Sequence, residues 1–349
     1  MRKYLCHFLT FIPVVAALTG CGLVDEDLGD CETEYKLDYE LRLVTNLTTE
    51  FQTELSMAAD LEVAAALRSY LKEVFTDYAH DVDLSFYDVV RDEAAADSLR
   101  LHHERHIMDA NQSSFTLFLP VRKYMHLAVA NLEKSGAVYL ENDAVCHGSR
   151  LQQDIRDTVG CHKTGLFTAR LPMDIQEGRD QNFDVRLYMA NCASALVIDT
   201  VGSHLRDVRV FASGFANAFH ICDSTYRFQY SPVVRPDPVP LDVPGRLCYA
   251  TVTFPSRDVH DTRTIIDSED PSVSELAEGS LWRYVVYVTM PDGTVTASVL
   301  GVFRPLRPGH FRIIKVKVLE NGAVQTGDPA VAVSVTLDWT PGQEYNVDM

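Results

Sequence analysis

The chain has 349 residues, room for about two domains, and carries 31 lysines and arginines against 49 aspartates and glutamates, a formal net charge of −18. A surface this acidic repels phosphate backbones and anionic headgroups, which excludes nucleic acid as a partner. Hydrophobic residues, at 46% of the sequence, suffice for a real core in each domain and exclude a disordered chain.

Arg2 and Lys3 precede an apolar run from Tyr4 to Leu18 that ends in Leu18-Thr19-Gly20-Cys21. At about 15 residues the run is shorter than the roughly 20 a membrane-spanning helix needs, and small residues stand where a signal peptidase must reach the backbone. The pattern predicts a lipoprotein signal peptide over 1–20, removed ahead of Cys21, whose amine and thiol then both carry acyl chains. Two or more chains anchor stably where one binds only marginally. Asp25, Glu26, Asp27 and Asp30 follow, so 21–31 reads as a short, solvated acidic tether.

Beyond the tether the dominant period is two, which belongs to strands with one buried face. Tyr35, Leu37, Tyr39, Leu41 and Leu43 alternate with Lys36, Asp38, Glu40 and Arg42, which predicts a strand. Leu67, Leu71, Val74, Phe75 and Tyr78 then fall at helical spacing after an alanine-rich stretch. They predict one amphipathic helix at about 58–79, lying against the sheet. Val82, Leu84 and Phe86, then Phe115 to Leu119, then Tyr124 to Val129 complete a first sandwich, expected over 32–160.

A second sandwich, expected over 165–349, opens near Leu166 with strand candidates at Asp184 to Met189, Ala195 to Asp199, Val208 to Val210 and Tyr226 to Tyr230. The prolines from Pro232 to Pro244 exclude a central strand and imply an extended loop over 232–244. Leu281 to Met290 and Thr294 to Leu300 are joined by Asp292-Gly293, and Ile313 to Leu319 leads into Asn321-Gly322; both dipeptides accept the positive φ of hairpin turns. Val331, Val333, Val335, Leu337 and Trp339 alternate with small and polar residues in a last strand. Many short strands, with helix confined to one segment, indicate an all-β, mainly antiparallel chain of two sandwiches.

With Cys6 in the signal and Cys21 lipidated, Cys31, Cys146, Cys161, Cys192, Cys222 and Cys248 remain. An even number in an exported chain invites disulfides. Cys146 and Cys161 close a short loop and are the favoured pair, worth about 3 kcal/mol by the chain-entropy model, while the other connectivities stay open. Cys146-His147 and Cys161-His162 also have the residue types of a zinc site, but export favours a disulfide or free thiols, so no metal is expected.

Little else in the sequence carries chemistry. His102 and His106 would share a face if their segment were helical, yet the HExxH spacing is absent and a solvated strand end or turn is the plainer reading. No Gly-x-Ser-x-Gly elbow, phosphate loop or dinucleotide fingerprint is found, so no catalytic residue and no cofactor are expected. Trp282 and Trp339 lie in strand segments, where an aromatic belongs to a core more often than to a sugar-binding platform.

Several strings, taken together and in order, carry a resemblance over nearly the whole mature chain. They are the lipobox with Val24-Asp25-Glu26-Asp27-Leu28-Gly29-Asp30-Cys31, VFTDYAHDVDLSFYD from Val74 to Asp88, YMHLAVANL from Tyr124 to Leu132, TGLFTARLPMDI from Thr164 to Ile175, and LYMANCASALVID from Leu187 to Asp199. In these the chain resembles the fimbrillin-associated anchor family of Bacteroidales, accessory subunits of type V fimbriae. The resemblance implies two transthyretin-like β-sandwich domains, retention at the outer membrane by lipid on Cys21, and a non-enzymatic role in anchoring a surface fimbria or limiting its length. Its partners would be other fimbrial subunits and outer-membrane lipid, and Cys21 is the one functional position that transfers.

A fibre is an open head-to-tail assembly, and adding a strand to a free sheet edge joins subunits through main-chain hydrogen bonds. The strands at Tyr35 to Leu43 and Val331 to Trp339 are the candidates for that edge, with Leu37, Tyr39, Leu41, Val333, Val335 and Leu337 filling pockets; ordinary internal strands are the competing reading. A second functional reading is a surface lipoprotein that binds host or bacterial glycans through loop aromatics.

Overall fold

The computed structural model describes residues 33–44, 52–56, 60–76, 78–92, 95–108, 114–258, 260–261, 263–265 and 279–336. Cys21, Cys31, Leu337 and Trp339 lie outside them. In chain order the elements begin with β1 (Glu34–Val44), helix α1 (Leu61–Tyr70), β2 (Asp81–Asp92), β3 (Ala95–Met108), β4 (Ser114–Pro120) and β5 (Lys123–Ala130). There follow β6 (Val138–Glu141), β7 (Arg150–Gln153), β8 (Val159–Gly160), β9 (Phe167–Asp174), β10 (Gln181–Met189), β11 (Cys192–Asp199) and β12 (Asp207–Ser213). The remainder are β13 (Ala218–His220), β14 (Thr225–Arg227), β15 (Val234–Arg235), β16 (Asp237–Pro238), β17 (Arg246–Thr253), β18 (Thr264–Ile265), β19 (Trp282–Thr289), β20 (Val295–Val302), β21 (Phe311–Val318), β22 (Val324–Gln325) and β23 (Val331–Thr336).

The first sheet has seven strands in the order β3-β2-β5-β9-β10-β1-β4 and curls until its ends approach. Arg105 on β3 donates from Nη1 to the Thr116 carbonyl on β4 at 3.0 Å, and Tyr39 on β1 reaches across the interior to His126 on β5 at 2.7 Å. The alternation in β1 sends Leu37, Tyr39 and Leu41 inward, while Lys36, Asp38, Glu40 and Arg42 stay exposed. β5 is different: its run Leu127-Ala128-Val129-Ala130 is buried throughout, because a small five-stranded sheet, β18-β14-β13-β7-β6, covers the outer face. Tyr87, Leu127 and Val129 pack there with Leu151, Phe219 and Tyr226 in a second apolar cluster. A strand covered on both faces reads as a continuous apolar run.

The second sandwich sets the six-stranded sheet β23-β20-β19-β12-β15-β8 against the five-stranded sheet β16-β17-β11-β21-β22. Tyr284 on β19 ties the layers together, its hydroxyl lying 2.7 Å from Ser194 Oγ on β11 and 3.0 Å from Thr251 Oγ1 on β17. Trp282 beside it is fully buried against Phe215 and donates from Nε1 to the Arg304 carbonyl at 2.9 Å, so it is core. The hairpin turns fall where the dipeptides put them, with Gly293 at φ +88 and Gly322 at φ +81.

Three expectations need correction. The change of sheet does not come at 160–165: β9 and β10 belong to the first sheet, β8 already joins the six-stranded one, and the handover lies between Met189 and Cys192. The cause is lateral pairing, since β10 runs parallel to β1 and β9 antiparallel to β5, strands far away in sequence. The helix is shorter than 58–79 and ends at Tyr70, followed by tight turns closed by Val74 N and Phe75 N on the Leu71 carbonyl. It also touches the second sandwich as well as the first, through Tyr70 Oη to Asp237 at 2.8 Å and the ion pair of Asp60 with Arg246. Finally, Cys146 and Cys161 lie in separate apolar clusters, so the fold does not bring together the pair that their spacing favours. Cys161 is turned toward the Arg235 and Ala250 carbonyls, whereas Cys146 packs under the small sheet. The 232–244 segment holds only two-residue strands, β15 in one sheet and β16 in the other, so the prolines mark a crossing between layers.

Candidate assembly edge

Strand β23 follows the turn at Asp328, whose carbonyl accepts Val331 N at 3.1 Å, and pairs antiparallel with β20 from Val302↔Val331 to Ala297↔Thr336. Its other side has no paired strand among the described residues. Val331, Val333 and Val335 share the inward face, as do their partners Val302, Leu300 and Ser298. Cover fails along this row. Val331 is 8% exposed, Val333 is half-buried, and Val335 is 39% exposed although Ser298 opposite it is fully buried. The facing sheet ends here too, in the two-residue β22, whose Val324 N donates to Ser298 Oγ at 3.1 Å. An apolar row with a free backbone edge alongside it is what an added strand needs.

The other candidate strand is placed differently. β1 pairs with β10 on one side and β4 on the other along most of its length, so it presents no open edge. Leu37 and Tyr39 have no exposure and Leu41 has 5%, which makes them core. The outer strands of that first sheet are β3 and β4. β3 exposes His102, His103, Glu104, Arg105 and His106 at its middle, a charged stretch of the kind that blunts an edge. His106 is spent on Asp83 at 2.6 Å and His102 sits against Tyr124, while a one-residue register shift between Phe86 and Tyr87 kinks the strand at that point.

Buried polar groups fix the interiors. His126 is fully buried, stacks on Phe86 at 4.3 Å, donates from Nδ1 to the Ser85 carbonyl at 3.1 Å and accepts Tyr39 Oη at Nε2. Burial holds its pKa down to about 4 and drives that of Tyr39 far above the ordinary phenol value. His162 is likewise neutral, with burial lowering its pKa to about 3. Nε2 lies 2.7 Å from Gln153 Oε1 and Nδ1 3.4 Å from Asn191 Nδ2, so both ring nitrogens are engaged. The histidine inside the apolar string YMHLAVA is the one sequence sign of such a group. No cluster of three or more metal-binding side chains is present among the described residues.

A cavity of about 290 Å³ opens between β9–β10 and β13–β14, lined by Arg170, Arg186, Tyr188, Tyr226 and Arg263. Tyr188 is 55% exposed, an aromatic surface beside three guanidinium groups on a strongly acidic protein. These residues come from four separated segments, and nothing in the sequence links them.

No family profile and no curated protein matches the chain. Among solved structures, the fold is similar to that of a candidate adhesin from Bacteroides ovatus at a TM-score of 0.49 and 11% identity, with 84% of this chain and 96% of that one covered. It is similar to a fimbrial anchor protein of Porphyromonas gingivalis at 0.47 and 10%, covering 87% and 98%. A candidate polysaccharide-binding protein of Bacteroides thetaiotaomicron aligns at 0.46 and 9%, covering 85% and 97%. At such identities no residue's role passes from those proteins to this chain.

Proposed function

We propose that the chain is a non-enzymatic subunit of a cell-surface fimbria, held at the outer membrane by lipid on Cys21 and joined to neighbouring subunits by strand addition at β23. The observation that carries this is the one-sided pairing of β23 together with an inward apolar row that ends uncovered at Val335. A neighbour's strand laid on that edge would pair its backbone with β23 and cover Val333 and Val335. The sequence resemblance supplies the fibre, and the lipobox supplies the foothold. The test is Val335→Asp expressed in the native host: the folded subunit should still reach the membrane but fail to enter the fibre. Normal incorporation of the variant would overturn the edge reading.

A second reading, a glycan-binding surface lipoprotein, draws on the Tyr188 cavity. An exposed ring beside the exposed Arg186 suits an acidic saccharide, stacking on the apolar face of the sugar with a guanidinium near its carboxylate or sulfate, while Arg170 is held by the Cys222 carbonyl and Arg263 by Asp261. A glycan array would separate the two: retention of acidic glycans that disappears with Tyr188→Ala favours a lectin, and no retention leaves the fibre role alone.

A further inference from the structure

Two of the five described cysteines, Cys146 and Cys222, belong to the same apolar cluster, and none of the other three does. The backbone brings them together from 76 residues apart. β7 and β13 pair with His220 opposite Arg150, and the ladder continues as Ile221 N donates to the Ser149 carbonyl at 3.2 Å, so Cys222 arrives beside the turn at 146–148. That turn folds back on itself through Ser149 N to the Cys146 carbonyl at 3.1 Å, and His220 Nδ1 lies 3.4 Å from the His147 carbonyl. On the far side Arg170 of β9 holds the Cys222 carbonyl at 2.6 Å. Both side chains are buried, Cys146 completely and Cys222 to 4% exposure.

We propose that Cys146 and Cys222 are joined by a disulfide in the exported protein. The remaining described thiols are engaged elsewhere. Cys161 faces the Arg235 and Ala250 carbonyls, Cys192 faces those of Thr253 and Phe254, and Cys248 sits in the core of the second sandwich. Each sulfur is the leading influence on the other's pKa, which is raised at Cys146 and lowered at Cys222, in keeping with two thiols that lie together.

The oxidant is a disulfide donor of the export compartment, either a thiol–disulfide oxidoreductase or a small-molecule disulfide. One of the two cysteines, as its thiolate, attacks one donor sulfur, forming a mixed disulfide and releasing the other as a thiolate. The second cysteine then loses its proton and attacks the sulfur of the first, expelling the donor's second thiolate. The two protein thiols give up two electrons and two protons, and the donor disulfide becomes two thiols. Because the thiols are buried in the finished fold, the exchange belongs to folding, before the small sheet closes over β5. The loop so closed contains β7 to β13, including the stretch from β9 to β12 in which the chain passes from the first sheet to the second sandwich, and the bond would fix the small sheet's hold on that crossing.

The inference rests on the export proposed above, so the test has two arms. In the first, the full chain recovered from an oxidising compartment is alkylated in denaturant, digested without reductant and mapped by mass spectrometry. The expected result is one cross-linked peptide joining Cys146 to Cys222, lost on reduction and absent from Cys146→Ser. Full alkylation of both thiols, or a link from either to another cysteine, would overturn the proposal. In the second arm the full chain is refolded from denaturant in oxidised and reduced glutathione. Formation of the link here but not in the first arm refutes the export, whereas its absence from both arms refutes the pairing itself.

Discussion

Mild acid should weaken the fold well before its carboxylates titrate, and the size of the effect follows from two buried imidazoles. His126 and His162 are neutral in the folded protein, their pKa values held by burial at about 4 and about 3, while in the unfolded chain each titrates near the ordinary histidine value. The folded pKa values are depressed, so for these bases the stability is complete above about pH 6.5. It is lost as the pH falls, because protons are taken up first by the unfolded state. Between pH 7 and about pH 5 each ring should cost about 2 kcal/mol, for a combined loss of about 4 kcal/mol, with roughly two protons taken up on unfolding at the lower end. Urea denaturation at several pH values in this window measures the slope. His126→Phe with Tyr39→Phe keeps the ring that stacks on Phe86 and leaves no orphaned hydroxyl, so whatever it does to absolute stability it should halve the slope. Stability that is level from pH 7 to 5, or equal slopes in the two proteins, would refute the assignment of neutral buried histidines.

Other expectations concern single side chains. Leu37→Asp puts a carboxylate where there is no solvent exposure and should cost several kcal/mol, losing the cooperative thermal transition, whereas Val335→Asp should shift it by less than about 1 kcal/mol. Tyr284→Phe leaves Ser194 Oγ and Thr251 Oγ1 without their partner between the layers and should cost about 1–3 kcal/mol by chemical denaturation. Trp282→Ala empties the largest buried side chain of the second sandwich and should cost about 3–5 kcal/mol in the same assay. Cys21→Ser should abolish incorporation of labelled palmitate, and retained label would remove the lipid foothold.

Much of the local structure was legible in the chain, for reasons that also explain where legibility stopped. Side-chain alternation reports which face of a strand is buried, and it located β1 and β23, while the Asp292-Gly293 and Asn321-Gly322 turns placed the hairpin of β19 with β20 and the end of β21. Lateral pairing is a backbone matter, and it leaves no trace in that pattern. β1 and β23 alternate alike, yet among the described residues β1 has a neighbour on each side and β23 on one. The same blindness moved the sheet boundary, because nothing local says that β10 lies beside β1. Cysteine spacing favoured Cys146 with Cys161, whereas the ladder of β7 with β13 sets Cys146 beside a thiol 76 residues on. The Tyr188 cavity, assembled from four segments, was likewise out of reach.

Assembly into a fibre depends above all on β23 being the edge that meets a neighbour. A photo-crosslinking amino acid placed at Val335, with Phe118 on β4 as the exposed control at the other sandwich, measures this in intact fibres from the native host. Irradiation should yield an adduct between position 335 and another fimbrial subunit, and none from position 118. An adduct from 118 alone, or intact fibres with no adduct from 335, would contradict it.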